Sequence, residues 1–385
     1  MINFNYENIL KLNEIDIKFD YKEYYNRFLN KLENTVGFRK AIFEDINKYK
    51  IEKAEDVVVI GMGGSILGTE TVYYALKGYN KLNNAYFLDN TDPEKIVKII
   101  NEIKDKEPLI YVVSKSGNTL ETIVNYNLIK KEVKGDYIFI TNGGKLLEEA
   151  KEKGYYIMNI PENVPGRYSI FTAVGLAPLY SLNVNIDRLI NGAKYMDKIF
   201  LEEDFYKNYP IINAIIHYLY EKRGVDIAVL MSYVESLYHF GEWFKQLLGE
   251  SLGKEGKGIT PLLSIGAKDQ HSLLQLYMDG KKDKIITFLT VEKYRDDIEV
   301  EYNNKIFKLS EIIKYEQLAT EKALTNNKVP NVKITLEEVK EECLGALLYM
   351  YMLQIGFMGE LYNINAYNQP AVEEEKRICL EMMMK

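Results

Sequence analysis

Two cysteines, three histidines and one tryptophan are all that 385 residues hold of these types. Cys343 and Cys379 stand in no metal-ligand spacing and cannot build a disulfide framework, which suits a reducing, cytoplasmic setting. Three histidines without an HxH, HExxH or two-His-plus-carboxylate cluster leave no local metal site, so metal chemistry is not expected. A net charge of −7 excludes a general nucleic-acid binder but leaves room for a local basic pocket around a small anion. The longest apolar run, Leu344–Met358, is interrupted by Gln354 and Gly356 and is too short for a membrane span. The opening MINFNYENIL lacks a basic segment followed by an apolar one, so no signal peptide is expected. Lys, Glu, Ile and Tyr are abundant and Gln is scarce, which fits either a thermophile or a biased genome.

What is present is a regular alternation. Residues 1–50 read as amphipathic helices. Short apolar strands are then predicted at Val57–Ile60, Ala85–Leu88, Leu109–Val113 and Tyr137–Ile140, each followed by a loop and a helical pattern. Helices are predicted over 186–222, and strands resume at Asp226–Met231, Ile259–Leu263 and Lys284–Thr290. The reading is two α/β units with parallel sheets wrapped by helices. Expected boundaries are 1–50, 51–185, 186–222, 223–365 and 366–385. Thr335-Leu-Glu-Glu338 reads as a capping box opening a long apolar helix through Phe357. Such a helix is buried in the chain or against a second subunit.

Several loops have the residue types that chemistry needs. In VVVIGMGGSILG a strand runs into Gly61, Gly63, Gly64 and Ser65, where backbone can approach an anion at a helix start. No Lys-Ser/Thr follows, and Ile66 replaces the third glycine of a dinucleotide fingerprint, so a nucleotide is not indicated. The loop SKSGNTLET places Ser114, Ser116 and Thr119 after a buried strand, hydroxyls that can donate to a phosphate without neutralising it. A plain tight turn and a plain N-capping turn are the structural alternatives for these two loops. In GESLGKEGKG, Glu250 sits on a glycine-flanked helix end, where a carboxylate can be aimed and partly desolvated as a general base requires; a solvated turn is the alternative. Arg167 follows Pro165-Gly166 and could meet developing negative charge or form a plain salt bridge. His217 and His239 lie in apolar helices and read as core or interface residues, whereas His271 lies at a polar loop–helix junction suited to proton transfer.

The segments IGMGGSILG, SKSGNTLET, PGRYSIFTAVG, GESLGK, QHSLLQL and NQPAVEEEK occur in the order seen in the phosphoglucose isomerase family, which the chain resembles from about residue 55 to 380. The resemblance implies an α/β fold with two doubly wound parallel-sheet sugar-isomerase domains, N-terminal helices and a C-terminal helical tail. It also implies reversible isomerisation of glucose 6-phosphate and fructose 6-phosphate through a cis-enediolate, with no metal or other cofactor. Glu250 would be the base, and Arg167 would stabilise the enediolate. His271 and Lys376 would shuttle protons during ring opening. Ser114, Ser116 and Thr119 would hold the phosphate near Lys115, Gly64 and Ser65, and Gln246 and Gln369 would contact the sugar. A homodimer is implied, with His271 reaching the partner's site and the helix 336–357 a candidate for part of the interface. Two other functions stay open: a dual phosphoglucose/phosphomannose isomerase, suggested by Gly117-Asn118, and a non-catalytic sugar-phosphate-binding regulator. The family's Trp-Gly-Val-Glu is replaced here by Pro-Ala-Val-Glu before Lys376.

Overall fold

A computed structural model describes residues 1–78, 82–202 and 204–384. The chain opens with strand β1 (Ile2–Asn5) and helices α1 (Glu7–Leu12), α2 (Lys22–Asn34) and α3 (Phe38–Ala41). A first α/β run follows: β2 (Asp56–Ile60), α4 (Leu67–Leu76), β3 (Asn84–Leu88), α5 (Pro93–Ile103), β4 (Leu109–Val113), α6 (Leu120–Glu132), β5 (Asp136–Ile140), α7 (Gly144–Lys153) and β6 (Tyr156–Met158). Helices α8 (Ala173–Ser181), α9 (Ile186–Phe200) and α10 (Tyr209–Glu221) connect it to a second run. That run comprises β7 (Ile227–Ser232), α11 (Tyr238–Leu252), β8 (Thr260–Ile265), α12 (Leu274–Asp279), β9 (Lys284–Val291), a hairpin of β10 (Glu299–Tyr302) and β11 (Lys305–Lys308), α13 (Leu309–Asn326) and β12 (Asn331–Leu336). Helices α14 (Glu341–Tyr362) and α15 (Glu373–Met383) close the chain.

The first sheet has the order β3-β2-β4-β5-β6, all parallel. DVVVI and LIYVV are buried at every residue, as central strands covered on both faces must be. Helix α5 shows how the covering helices are written locally. Asp92 accepts from Glu94 N and Lys95 N, Pro93 takes the first helical position, and Ile96, Ile99 and Ile103 turn to the core. The second sheet has the order β1-β12-β9-β7-β8, parallel except for β1.

The structure departs from three expectations. The stretch 1–50 is not wholly helical: β1 pairs antiparallel with β12, Ile2 opposite Leu336. A four-residue edge strand has too short an alternation to stand out, and its partner lies at the far end of the chain. Thr335 and Leu336 are strand residues of β12, so no capping box starts at Thr335; the helix begins at Glu341 after Lys340 in extended conformation. The pattern Thr-x-x-Glu was met by a strand end followed by a turn. Finally, α14 is buried on nearly all sides within its own chain, packing on α2, α9, α10 and α11; burial in the chain, one of the two expected alternatives, holds, and the expected part in a subunit interface does not. It is the one helix among the described residues long and apolar enough to cross a membrane, and it serves as the central core helix instead.

Candidate active site

Strand β2 runs through α4 to β3 on one side, and the chain then crosses over to β4 on the other. The carboxyl ends of β2 and β4 therefore flank a topological switch point, where open α/β sheets form a crevice. Ile60 pairs with Val112, so the glycine loop and the SKSGNT loop leave the sheet side by side. The glycine loop is pressed against the Arg167 turn: a Cβ on Gly64 would lie 2.2 Å from the carbonyl carbon of Gly166. Only glycine allows this approach. Ser65 closes the single turn Gly63–Ser65 ahead of α4.

The second loop is built around its hydroxyls. Ser114 Oγ lies 2.9 Å from Thr119 Oγ1 and accepts from Gly117 N at 3.2 Å. Ser116 Oγ accepts from Asn118 N at 3.3 Å. Gly117 adopts φ +65°, and a Cβ there would strike Gly143 O at 1.7 Å. Thr119 holds the N-cap position of α6 without a side-chain cap bond. The first-turn N–H groups of α6 thus remain available to an anion, at the positive end of the helix. The Lys115 ammonium turns elsewhere, donating to Glu162 O at 2.6 Å and Val164 O at 2.9 Å. Burial lowers its pKa from the ordinary lysine value. It ties this loop to the segment leading into Arg167.

Arg167 is 3% exposed and is the hub of the site. Its Nε donates to Ser251 Oγ at 2.8 Å. Nη1 donates to Glu250 Oε2 at 3.3 Å and to Gln369 Oε1 at 2.9 Å. Nη2 donates to Ala366 O at 2.6 Å and Asn368 O at 3.1 Å. The other Glu250 oxygen accepts from Gln246 Nε2 at 3.2 Å, one helical turn back on α11. Stacking of Tyr168 on Phe38 and a 3.2 Å contact of its hydroxyl with Ser251 Oγ hold the arginine turn in place. The Glu250 side chain is 37% exposed, so one side of the carboxylate is open to a substrate while the other rests on the guanidinium.

Arg167, Glu250, Gln246 and Gln369 are thus brought into one network, with Gly64 against it. His271 and Lys376 are not part of it. His271 is exposed at the end of the turn Lys268–His271, beyond the carboxyl end of β8. Lys376 is exposed on α15 and pairs with Glu373 at 2.7 Å. His217 is a buried core residue bonded to Asn213 O, with burial lowering its pKa to about 4. His239 stacks on Tyr74 at 4.0 Å between α11 and α4. Ser251 and the carbonyls of Ala366 and Asn368 were missed as partners of Arg167; Ser251 was discoverable as the neighbour of Glu250, whereas the carbonyls carry no side-chain signal. A cleft of about 520 Å³ opens at the carboxyl edge of the second sheet, walled by Tyr233, Ile265, Tyr294, Ile298 and Ile313. It contains neither Glu250 nor Arg167, and its apolar walls beside exposed Asp296 and Asp297 do not suit a phosphate.

Two parallel sheets, with a hydroxyl-lined loop at the switch point of the first, place the chain among the phosphosugar-isomerase folds. In solved structures the chain is similar to a hypothetical protein from Thermus thermophilus, with a TM-score of 0.91 and 27% identity over all of both chains. A glucose-6-phosphate isomerase from Chlamydia trachomatis shares the fold, with a TM-score of 0.77 and 21% identity over 94% of this chain and 73% of that one. In sequence, the phosphoglucose isomerase model matches residues 19–308. The chain is 60% identical to the glucose-6-phosphate isomerase of Methanocaldococcus jannaschii, both covered in full. It is 40% identical to a probable glucose-6-phosphate isomerase of Methanococcus maripaludis, over 99% of this chain and 94% of that one. The chain belongs to the phosphoglucose isomerase family.

Proposed function

We propose that this enzyme interconverts glucose 6-phosphate and fructose 6-phosphate through a cis-enediolate, with Glu250 as the base and no metal. The observation that carries the reading is the contact of Glu250 with Arg167 beside the two anion loops. The phosphate is a remote handle on Ser114, Ser116, Thr119 and the N-terminus of α6, and its binding orients the far end of the open-chain sugar. Glu250 removes the proton from C2 and returns it to C1 from the same face. Negative charge grows on the two adjacent oxygens, where the fixed guanidinium of Arg167 meets it. Gln246 and Gln369 orient the hydroxyls.

Ring opening falls to His271 and Lys376. Helix α11 lies between parallel strands β7 and β8, so Glu250, near its C-terminal end, lies towards the amino end of β8, while His271 follows the carboxyl end. Six strand residues at about 3.3 Å each separate those ends by roughly 20 Å. This supports a homodimer in which His271 serves the partner's site. Lys376 would leave Glu373 to reach the sugar. Asn118 accepts from Lys145 N at 3.1 Å, and a Cβ on Gly117 would strike Gly143 O, so both residues build the loop.

The test is conversion of fructose 6-phosphate to glucose 6-phosphate, read through a coupled dehydrogenase with and without EDTA, together with E250Q. The expectation is EDTA-insensitive turnover, a fall in kcat on the order of 10²–10⁴-fold in E250Q, and retained substrate binding. EDTA-sensitive turnover would overturn the metal-free route. Bound substrate without turnover in the wild type would favour a regulatory protein.

A further inference from the structure

We propose that Lys254, on the turn after Glu250, is a positioning residue for the isomerisation, clamping the last turn of α11 so that the Glu250 carboxylate is held against Arg167. The inference rests on the isomerase reading above. Lys254 Nζ donates to Glu250 O at 2.7 Å and to Ser251 O at 2.8 Å. Both carbonyls belong to the last helical turn, beyond the helix's own donors. The backbone N–H of Lys254, which would continue the helix, bonds instead to Leu252 O at 2.8 Å, and a bridge to Lys257 folds the turn back.

Two cations therefore grip the same dipeptide from two sides. Lys254 holds Glu250 and Ser251 by their carbonyls. Arg167 holds the same two residues by their side chains. A shift of the helix end would move the base and the arginine's anchor together, and small misplacements of a base cost rate. The charged groups facing Lys254 are Arg167 from its turn and Glu250 from α11; on its own turn, Glu255 and Lys257 pair with each other at 3.5 Å. Burial, then the like charge of Arg167, lowers the Lys254 pKa from 10.5 to about 8, against the pull of Glu250. The ammonium is lost as pH rises past that value, and charge-assisted bonds to the two carbonyls weaken to neutral ones.

The test is the pH profile of kcat and KM for wild type, K254M and K254R, with circular dichroism to check folding. The expected result is a wild-type alkaline limb near pH 8 and a fall in kcat of about tenfold in K254M, the size of one lost charge-assisted bond, with KM nearly unchanged. K254R recovers most of that rate and moves the alkaline limb upward by more than about one pH unit, because arginine keeps its charge. If K254M does not fold, K254R alone decides. An alkaline limb in K254R identical to the wild type, or a K254M with wild-type kcat, overturns the proposal and leaves the isomerase reading intact. A wild-type protein without turnover overturns the isomerase reading and this inference with it.

Discussion

Replacing Arg167 by lysine separates charge from geometry at the centre of the site. The guanidinium makes five hydrogen bonds, to Ser251, Glu250, Gln369, Ala366 and Asn368. A lysine keeps the charge but has three donors and no planar fork, so at least two acceptors lose their partner. Ser251 keeps the Tyr168 hydroxyl, but the buried Ala366 carbonyl loses this donor, and a buried group left unmet costs about 1–3 kcal/mol. R167K should therefore be less stable by roughly 1–3 kcal/mol, read as a lower urea midpoint. Turnover should fall further than stability explains. The Nη1 bond to Glu250 and the Nε bond to Ser251 position the proposed base, and a misplacement of a base by about 1 Å costs on the order of 10² in kcat. The loop carrying Gln369 is tied down by the same two N–H groups through Ala366 and Asn368, so KM should also rise. Steady-state kinetics on folded R167K checks this. A kcat within about threefold of wild type would refute the reasoning, because it would show that a point charge suffices.

S114A removes a hydroxyl that organises the proposed phosphate loop with Thr119 and Gly117, and should raise KM by about tenfold or more with a smaller effect on kcat; a KM equal to wild type would place the phosphate elsewhere. Glu70 of α4 is buried near Asp89 and Glu242; burial first, then Asp89, pushes its pKa up to about 7, with Lys95 opposing. The folded chain thus holds this proton more tightly than the unfolded one, and stability falls as pH rises from about 4.5 to about 7. E70Q should remove that slope and gain on the order of 3 kcal/mol over wild type at pH 8. Urea midpoints at pH 5 and pH 8 that respond equally in E70Q and wild type would contradict it.

Much of this protein could be read directly from its residues. Strands such as DVVVI and LIYVV are marked by unbroken apolar runs, because a parallel strand is buried on both faces. Glycines at 63, 64 and 117, the hydroxyls of SKSGNT and the Gly-Glu-Ser at a helix end announce themselves because the local backbone demands those residue types. Local demands of this kind are written within a few residues. What lies across the chain is not. β1 acquires its identity from β12, whose residues lie more than three hundred positions away. The false helix start at Thr335 came from a motif that a strand end can also satisfy. That Arg167 would join Glu250 to Gln369, that Lys115 would serve the arginine's segment, and that Lys254 would grip the turn beneath the base follow from helix packing and chain crossing, which have no local signature. The central strands of both sheets and the glycine and SKSGNT loops that leave the first were legible from the residues, because each is a short-range requirement on the backbone, whereas β1, β6, β10, β11 and β12 were not. Three things came from the folded chain: which of those residues meet, that α14 is buried in its own chain rather than against a second subunit, and that His271 and Glu250 belong to opposite ends of β8. Distance in space is set by packing and not by spacing along the chain.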